Sequence, residues 1–220
     1  MMRERILAVI LAMAVFFLIL TASIALPIYI RPFFYLHIEA LDLPRVSGFT
    51  AEQIVEAYDA VLDYLTLPGR EFGTGVMACS QAAQDHFADC RVLFDLNACV
   101  LLISVWITAV MMFLRKTGRV GTLELGGYGA PFWGAAGLLT VILVVGGLAA
   151  LDFNRAFVIF HSIFFPGKDN WIFDWYQDQI IRVLPQQFFM NCAILIGTGI
   201  LTFSLGILAA EFFRHRRKGK

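Results

Sequence analysis

The chain has 220 residues, of which 59% are hydrophobic and only 15% charged. That balance excludes a soluble domain of this length. Formal net charge is zero, so total charge names no partner, and the information lies in how charge is distributed along the chain.

Four uncharged runs, Ile6–Ile30, Leu96–Leu114, Phe132–Leu151 and Phe188–Ala210, account for the apolar excess. Each is about as long as the roughly 20 helical residues that cross a hydrocarbon core. Lipid offers the backbone no hydrogen bonds, so each run is expected to be a helix. The fold class predicted is an all-α integral membrane protein with four transmembrane helices. It is expected to form a single membrane domain over residues 1–220, with an extracytoplasmic cap made by two outward loops, 31–90 and 152–187.

Arg3 and Arg5 precede the first run and Ser23-Ile24-Ala25 closes it, which resembles a secretory signal. The run is long for a signal core and continues through Pro27-Ile28-Tyr29-Ile30, so it is read as a retained span. Pro27 and Pro32 end it, and Phe33, Phe34, Tyr35 and His37 are expected to form an interfacial aromatic belt. Thr50-Ala51-Glu52-Gln53 has the spacing of a capping box. Ile54, Val55, Tyr58, Val61, Leu62 and Leu65 follow at helical spacing, which predicts an amphipathic helix over about 51–65 ended by Leu67-Pro68-Gly69. Gly69–Met77 is read as a loop.

Ser80 is placed as the cap of a helix that runs from Gln81 through His86, Asp89 and Leu93 into the second span. Cys79 and Cys90 face outward, while Cys99 and Cys192 lie inside spans as apolar fillers. On a single helix, the eleven residues between Cys79 and Cys90 would separate them by roughly 16 Å, too far for a disulfide. Arg115–Pro131 is a glycine-rich basic loop. In the third span Gly134, Gly137, Gly146 and Gly147 are expected to allow close helix packing. Asp152-Phe153-Asn154-Arg155 marks the exit from lipid.

The segment 153–189 holds 11 aromatics in 37 residues, about twice the chain-wide 14%. Water-exposed loops have no use for that enrichment, so the segment is read as an interfacial cap or an aromatic-lined cavity. Asp174, Asp178 and Arg182 recur every four residues, which predicts a short helix before Pro185.

Arg3, Arg5, Arg115, Lys116, Arg119, Arg214, Arg216, Arg217, Lys218 and Lys220 crowd short segments on one side of the predicted membrane. Arg31, Arg45, Arg70, Arg91, Arg155, Lys168 and Arg182 are thinly spread over the longer loops of the other. The positive-inside rule puts both termini in the cytoplasm. The basic tail is accordingly a topology determinant, and no nucleic-acid partner is expected.

His86 and His161 lie at one predicted membrane boundary and form the constellation best suited to acid–base work. Asp89 is a candidate to orient an imidazole, with helix-terminus charge stabilisation as the alternative. Asn154 and Arg155 are candidate donors to an oxyanion, interface anchoring being the other reading of Arg155. Phe160, Phe164, Phe165, Trp171 and Phe173 are candidate pocket walls. His37 belongs to the aromatic belt, and His215 to the basic tail. No HExxH-like pair occurs, so no metal is expected, and neither GxSxG nor a Ser–Lys motif is present; no cofactor is expected. Ser162 and Cys90 are weak candidate nucleophiles.

His86-x-x-Asp89-Cys90, Phe160-His161-x-x-Phe164-Phe165, Trp171-x-Phe173-Asp174, Asp178-x-x-Ile181 and Leu184-Pro185-x-x-Phe188-Phe189 together resemble the lipoprotein intramolecular transacylase (Lit) family, over nearly the whole length. The family commonly shows His-Met-x-Asp-Val where this chain has His86-Phe87-Ala88-Asp89-Cys90. The resemblance implies a bacterial cell-membrane enzyme with catalytic histidines, carried onto His86 and His161. Its partners would be membrane lipid and diacylglyceryl-modified bacterial lipoproteins with a free N-terminal cysteine. The sn-2 acyl chain would move to the cysteine α-amine and leave a lyso-form lipoprotein, one histidine taking a proton and the other giving one. Which does which is not readable from sequence. The alternatives are another membrane acyltransferase or hydrolase, and a non-enzymatic membrane scaffold.

Overall fold

The computed structural model describes residues 2–218; Lys220 of the basic tail lies outside them. Eight α-helices follow in order: α1 (Met2–Tyr29), α2 (Arg31–Ala40), α3 (Leu43–Ser47), α4 (Ala51–Thr66), α5 (Gln81–Lys116), α6 (Ala130–Leu151), α7 (Phe153–Phe164) and α8 (Gln186–Lys218). Two-residue strands β1 (Glu124–Leu125) and β2 (Tyr128–Gly129) make a hairpin between α5 and α6, and a 3-10 helix covers Gln179–Arg182. Four of the helices, α1, α5, α6 and α8, are long and apolar enough to cross a membrane; α5, α6 and α8 each contain a predicted run, and α1 covers the first except Ile30, running through Pro27 where an end was expected. At 1.5 Å per residue, α5 is roughly 54 Å long, well beyond the core thickness. Its first part, which carries His86, therefore precedes the apolar run.

The chain divides into two compact units. One contains, among the described residues, 2–26, 97–150 and 195–218. Its core is built from Leu11, Val15, Ile19, Leu138 and Ile200. Gly134 is required there, because a Cβ would collide with the backbone of Ala12 and Phe16 on α1. Gly137 would place a Cβ 3.9 Å from Phe16. Nothing stands within 4 Å of Gly146 or Gly147, so the expectation that all four glycines serve packing holds only for the first half of α6. Gly126 and Gly127, both at positive φ (57° and 84°), make the two-residue turn of the hairpin. Glu211 accepts from the Gly129 N–H, and the ring of His215 stacks on Tyr128. His215 thus has a structural contact that the basic tail did not suggest.

The other unit contains residues 27–96 and 151–194. Phe34 is fully buried and stacks on Tyr58 with centroids 3.7 Å apart. Ile54, Val61, Ile180, Val183 and Phe188 complete this core. The stretch 33–37 is therefore not an exposed aromatic belt: α2 buries Phe34 in protein, because α4 offers it an apolar face. Asn191 donates to Nε2 of His37 (2.8 Å), and Nδ1 of His37 donates to the Phe33 carbonyl. The Thr50–Gln53 capping box forms as expected, with Thr50 Oγ1 accepting from Gln53 N and Gln53 Oε1 from Thr50 N.

The α-helix expected across 174–182 is absent. The Asp174 carboxylate takes the N–H groups of Tyr176 and Gln177, and Asp178 takes those of Ser80 and Asp174. These local bonds outcompete helical ones, and only the 3-10 turn remains. All four cysteines are free.

Candidate active site

The start of α5 is fixed by two devices. Ser80 Oγ accepts from the Ala83 N–H (3.1 Å) as an N-cap. The stretch before it is pinned to the 174–179 segment, Ala78 exchanging bonds with Gln179, and Ser80 N donating to Asp178 Oδ1. One and a half turns into α5, the His86 ring is held at 7% exposure.

His161 sits near the end of α7, whose N-cap is Asp152, accepting from the Arg155 N–H. It too is 7% exposed. The two imidazoles lie in one unit with centroids 5.8 Å apart and planes inclined by 29°. Aromatic rings enclose both. Phe165 (4.9 Å) and Phe173 (5.5 Å) flank His86, and Phe157 (4.2 Å) and Trp171 (4.6 Å) flank His161.

Hydrogen bonding separates the two rings chemically. Nδ1 of His161 lies 2.8 Å from the Phe157 carbonyl. A carbonyl can only accept, so Nδ1 carries the proton and the neutral ring presents Nε2 as a lone pair. Burial pushes the His161 pKa below its ordinary value, opposed by this bond to Phe157. His86 differs. Its Nε2 lies 3.4 Å from the Cys90 sulfur, and its buried Nδ1 has no partner among the described residues.

A loop from Phe165 to Phe173 carries three of the aromatic walls, Phe165, Trp171 and Phe173. Pro166 and Gly167, the latter at φ +73°, turn the chain after α7. Lys168 Nζ then donates to Asp89 Oδ1 (2.5 Å) and Asn170 Nδ2 to Asp89 Oδ2 (3.0 Å). The Trp171 indole donates to the Lys168 carbonyl. Asp89 shares a helical face with His86, yet both of its oxygens serve this loop. It orients no imidazole, and the expectation is corrected: Asp89 holds the segment that lays Trp171 and Phe173 against the histidines.

Asn154 and Arg155 are not brought to the site. They precede His161 by two turns of α7, roughly 9–10 Å along its axis. Asn154 accepts from Gln186, and with Asp152, Gln187 and Met190 it lines a separate shallow cavity of about 300 Å³. Phe165, Trp171 and Phe173 wall the pair, and Phe160, about half exposed, meets the His161 ring edge-on at 5.4 Å; Phe164, also about half exposed, contacts Phe160. Ser162 Oγ donates to the Val158 carbonyl and lies outside the site. Phe157 and Lys168 were not anticipated. Phe157 could have been found by counting four residues back from His161; Lys168 required the loop's fold. Among the described residues, no group of three His, Cys, Asp or Glu side chains is placed to hold a metal ion.

The profile of the family described as lipoprotein intramolecular transacylase Lit matches residues 9–189. No curated protein sequence matches significantly. Among solved structures, the membrane integral lipoprotein intramolecular transacylase Lit from Bacillus cereus is similar over 98% of this chain and 97% of its own, with 23% identity and a TM-score of 0.84. Two variants of that protein, one with a histidine replaced by arginine and one by alanine, match at 20% and 21% identity, each with a TM-score of 0.80. They cover 99% and 98% of this chain and 95% of their own. At such identities the structural likeness speaks for the fold, and the four-helix membrane architecture is shared. The profile match spans most of the chain, and it makes this protein a member of the lipoprotein intramolecular transacylase (Lit) family, acyl-transferring membrane enzymes.

Proposed function

We propose that the chain, acting as one membrane domain, moves the sn-2 acyl chain of a diacylglyceryl-cysteine lipoprotein onto the cysteine α-amine, giving the lyso-form. The observation that carries this reading is the pair of imidazoles, 5.8 Å apart in one aromatic enclosure, with Nε2 of His161 presented as a lone pair.

The ammonium form of a peptide α-amine ordinarily titrates at about 7.7–8.0; the neutral amine attacks the ester carbonyl and loses one proton as the new C–N bond forms. Nε2 of His161 takes that proton. The carbonyl oxygen gains charge, and an N–H of His86 stabilises it. The bond from carbonyl carbon to the glyceryl oxygen then breaks, and His161 returns its proton to that oxygen. An amide has replaced an ester, with no outside reactant. The ring closed during attack contains N, Cα, Cβ, S, two glyceryl carbons, the ester oxygen and the carbonyl carbon. Holding a flexible chain near that closure lowers its entropic barrier, which suits rigid walls such as Phe165, Phe173 and Trp171. Those walls also keep water from the ester, favouring transfer over hydrolysis.

His161→Ala and His86→Ala should each lower conversion by about 10²–10⁴-fold with membrane expression retained. Mass spectrometry of lipoprotein N-termini, with and without the protein, reads the result as one acyl group moved from glycerol to nitrogen at constant mass. Full conversion by both variants sinks the proposal.

A further inference from the structure

We infer that Cys90 is a positioning residue for this reaction: its thiol donates to Nε2 of His86 and holds that imidazole as the tautomer whose Nδ1–H is left for the substrate. The inference rests on the transacylase reading above.

Cys90 follows His86 by one turn of α5, so both side chains share a face, and Sγ lies 3.4 Å from Nε2. Two arrangements satisfy that contact. If Nε2–H donated to sulfur, a weak acceptor, Nδ1 would be a buried lone pair with no donor near it. The enclosure would then hold two bases, at Nδ1 of His86 and Nε2 of His161, and neither ring would offer an N–H to a carbonyl oxygen gaining charge. If instead S–H donates to Nε2, Nδ1 carries the proton. That atom belongs to a ring 7% exposed and has no partner among the described residues. A buried N–H without an acceptor is costly, and a substrate carbonyl removes that cost when it binds.

The two histidines then have opposite settings. The Phe157 carbonyl, an acceptor, protonates His161 at Nδ1 and frees Nε2 as a base. The Cys90 thiol, a donor, occupies Nε2 of His86 and frees Nδ1–H. Neither ring needs to be charged before substrate arrives. Cys90 itself forms no bond to the substrate and undergoes no net change.

The test uses the full chain in lipid nanodiscs, with ¹⁵N-labelled histidine and a diacylglyceryl-cysteine peptide. Cys90→Ala and Cys90→Val, which remove the donor, should lower kcat/KM about fivefold, the worth of one neutral hydrogen bond. In both, the nitrogen shifts of His86 should move toward the Nε2–H tautomer. Cys90→Ser keeps an O–H donor and should restore rate and tautomer together, which a packing role would not predict. If Cys90→Val fails to fold, the Ala and Ser pair decides. Wild-type rate and tautomer in Cys90→Ala, or a Ser variant as impaired as Ala, overturns the assignment. Loss of conversion in His86→Ala and His161→Ala beside unaffected cysteine variants overturns only the role of Cys90. Retained conversion in both histidine variants overturns the reaction itself.

Discussion

The roles proposed for two imidazoles in one enclosure differ because their hydrogen-bond partners differ, and for His161 this has a measurable consequence. Burial places its pKa below the ordinary 6.5, so the neutral base survives to lower pH than a free histidine would allow. Once the titration of the peptide amine itself, at about 7.7–8.0, is divided out, the remaining acid limb of kcat/KM should fall below pH 6.5, as measured by initial rates of peptide conversion; a remaining limb above that value would contradict the assignment of His161 as base. The same shift has a stability sign. The unfolded chain binds this proton more readily, so stability is unaffected above the unfolded value and is lost as pH falls through it toward the folded one. Sequence identified both histidines by their type and place among aromatics. It could not assign their tautomers, because those depend on the Phe157 carbonyl and on Cys90, neighbours that only helix geometry brings to the rings.

At the scale of elements, the loop 165–173 and the packing of α6 respond to substitution in different ways. Lys168 and Asp89 form a partly exposed pair, and such pairs contribute about 0–1 kcal/mol. Lys168→Ala should leave thermal stability nearly unchanged yet lower conversion severalfold by loosening Trp171 and Phe173. Asp89→Ala also removes the Asn170 anchor and should cost more; hydrogen exchange over 165–173, measured beside activity, separates loop release from unfolding. Equal effects of the two substitutions would show that Asn170 contributes nothing. In α6, Gly134→Leu should destabilise by at least about 1–3 kcal/mol, since the backbone of α1 cannot yield. Gly147→Ala should be neutral or stabilise by up to about 1 kcal/mol, and thermal unfolding in detergent compares them. Apolar runs and capping signals made the helices legible. The failed helix at 174–182 shows the limit of spacing: Asp174 and Asp178 fit a helical period but spend their carboxylates on nearby N–H groups.

For the molecule as a whole, the distribution of basic residues carries the orientation. With Arg3, Arg5, Arg115, Lys116, Arg119, Arg214, Arg216 and Arg217 in short segments, both termini are expected in the cytoplasm and residues 31–90 and 152–187 on the outer face. Terminal reporter fusions should report the cytoplasm, and cysteines introduced at exposed sites such as Tyr176 should react with impermeant reagents from outside. The opposite labelling pattern would put the histidines on the wrong side for a lipoprotein substrate.

The sequence by itself determined four spans, because lipid tolerates only uncharged helical runs of sufficient length. It also determined which residues have the right chemistry. Tertiary structure alone decided which of them meet. His86 and His161 stand 75 positions apart, and their 5.8 Å approach is set by α5, α7 and a loop that Asp89 holds. Asn154 and Arg155 share the helix of His161 but sit two turns away from it, where no pairing of residue types could have placed them. Proximity between distant segments comes from the sum of many packing contacts, and no local pattern records that sum.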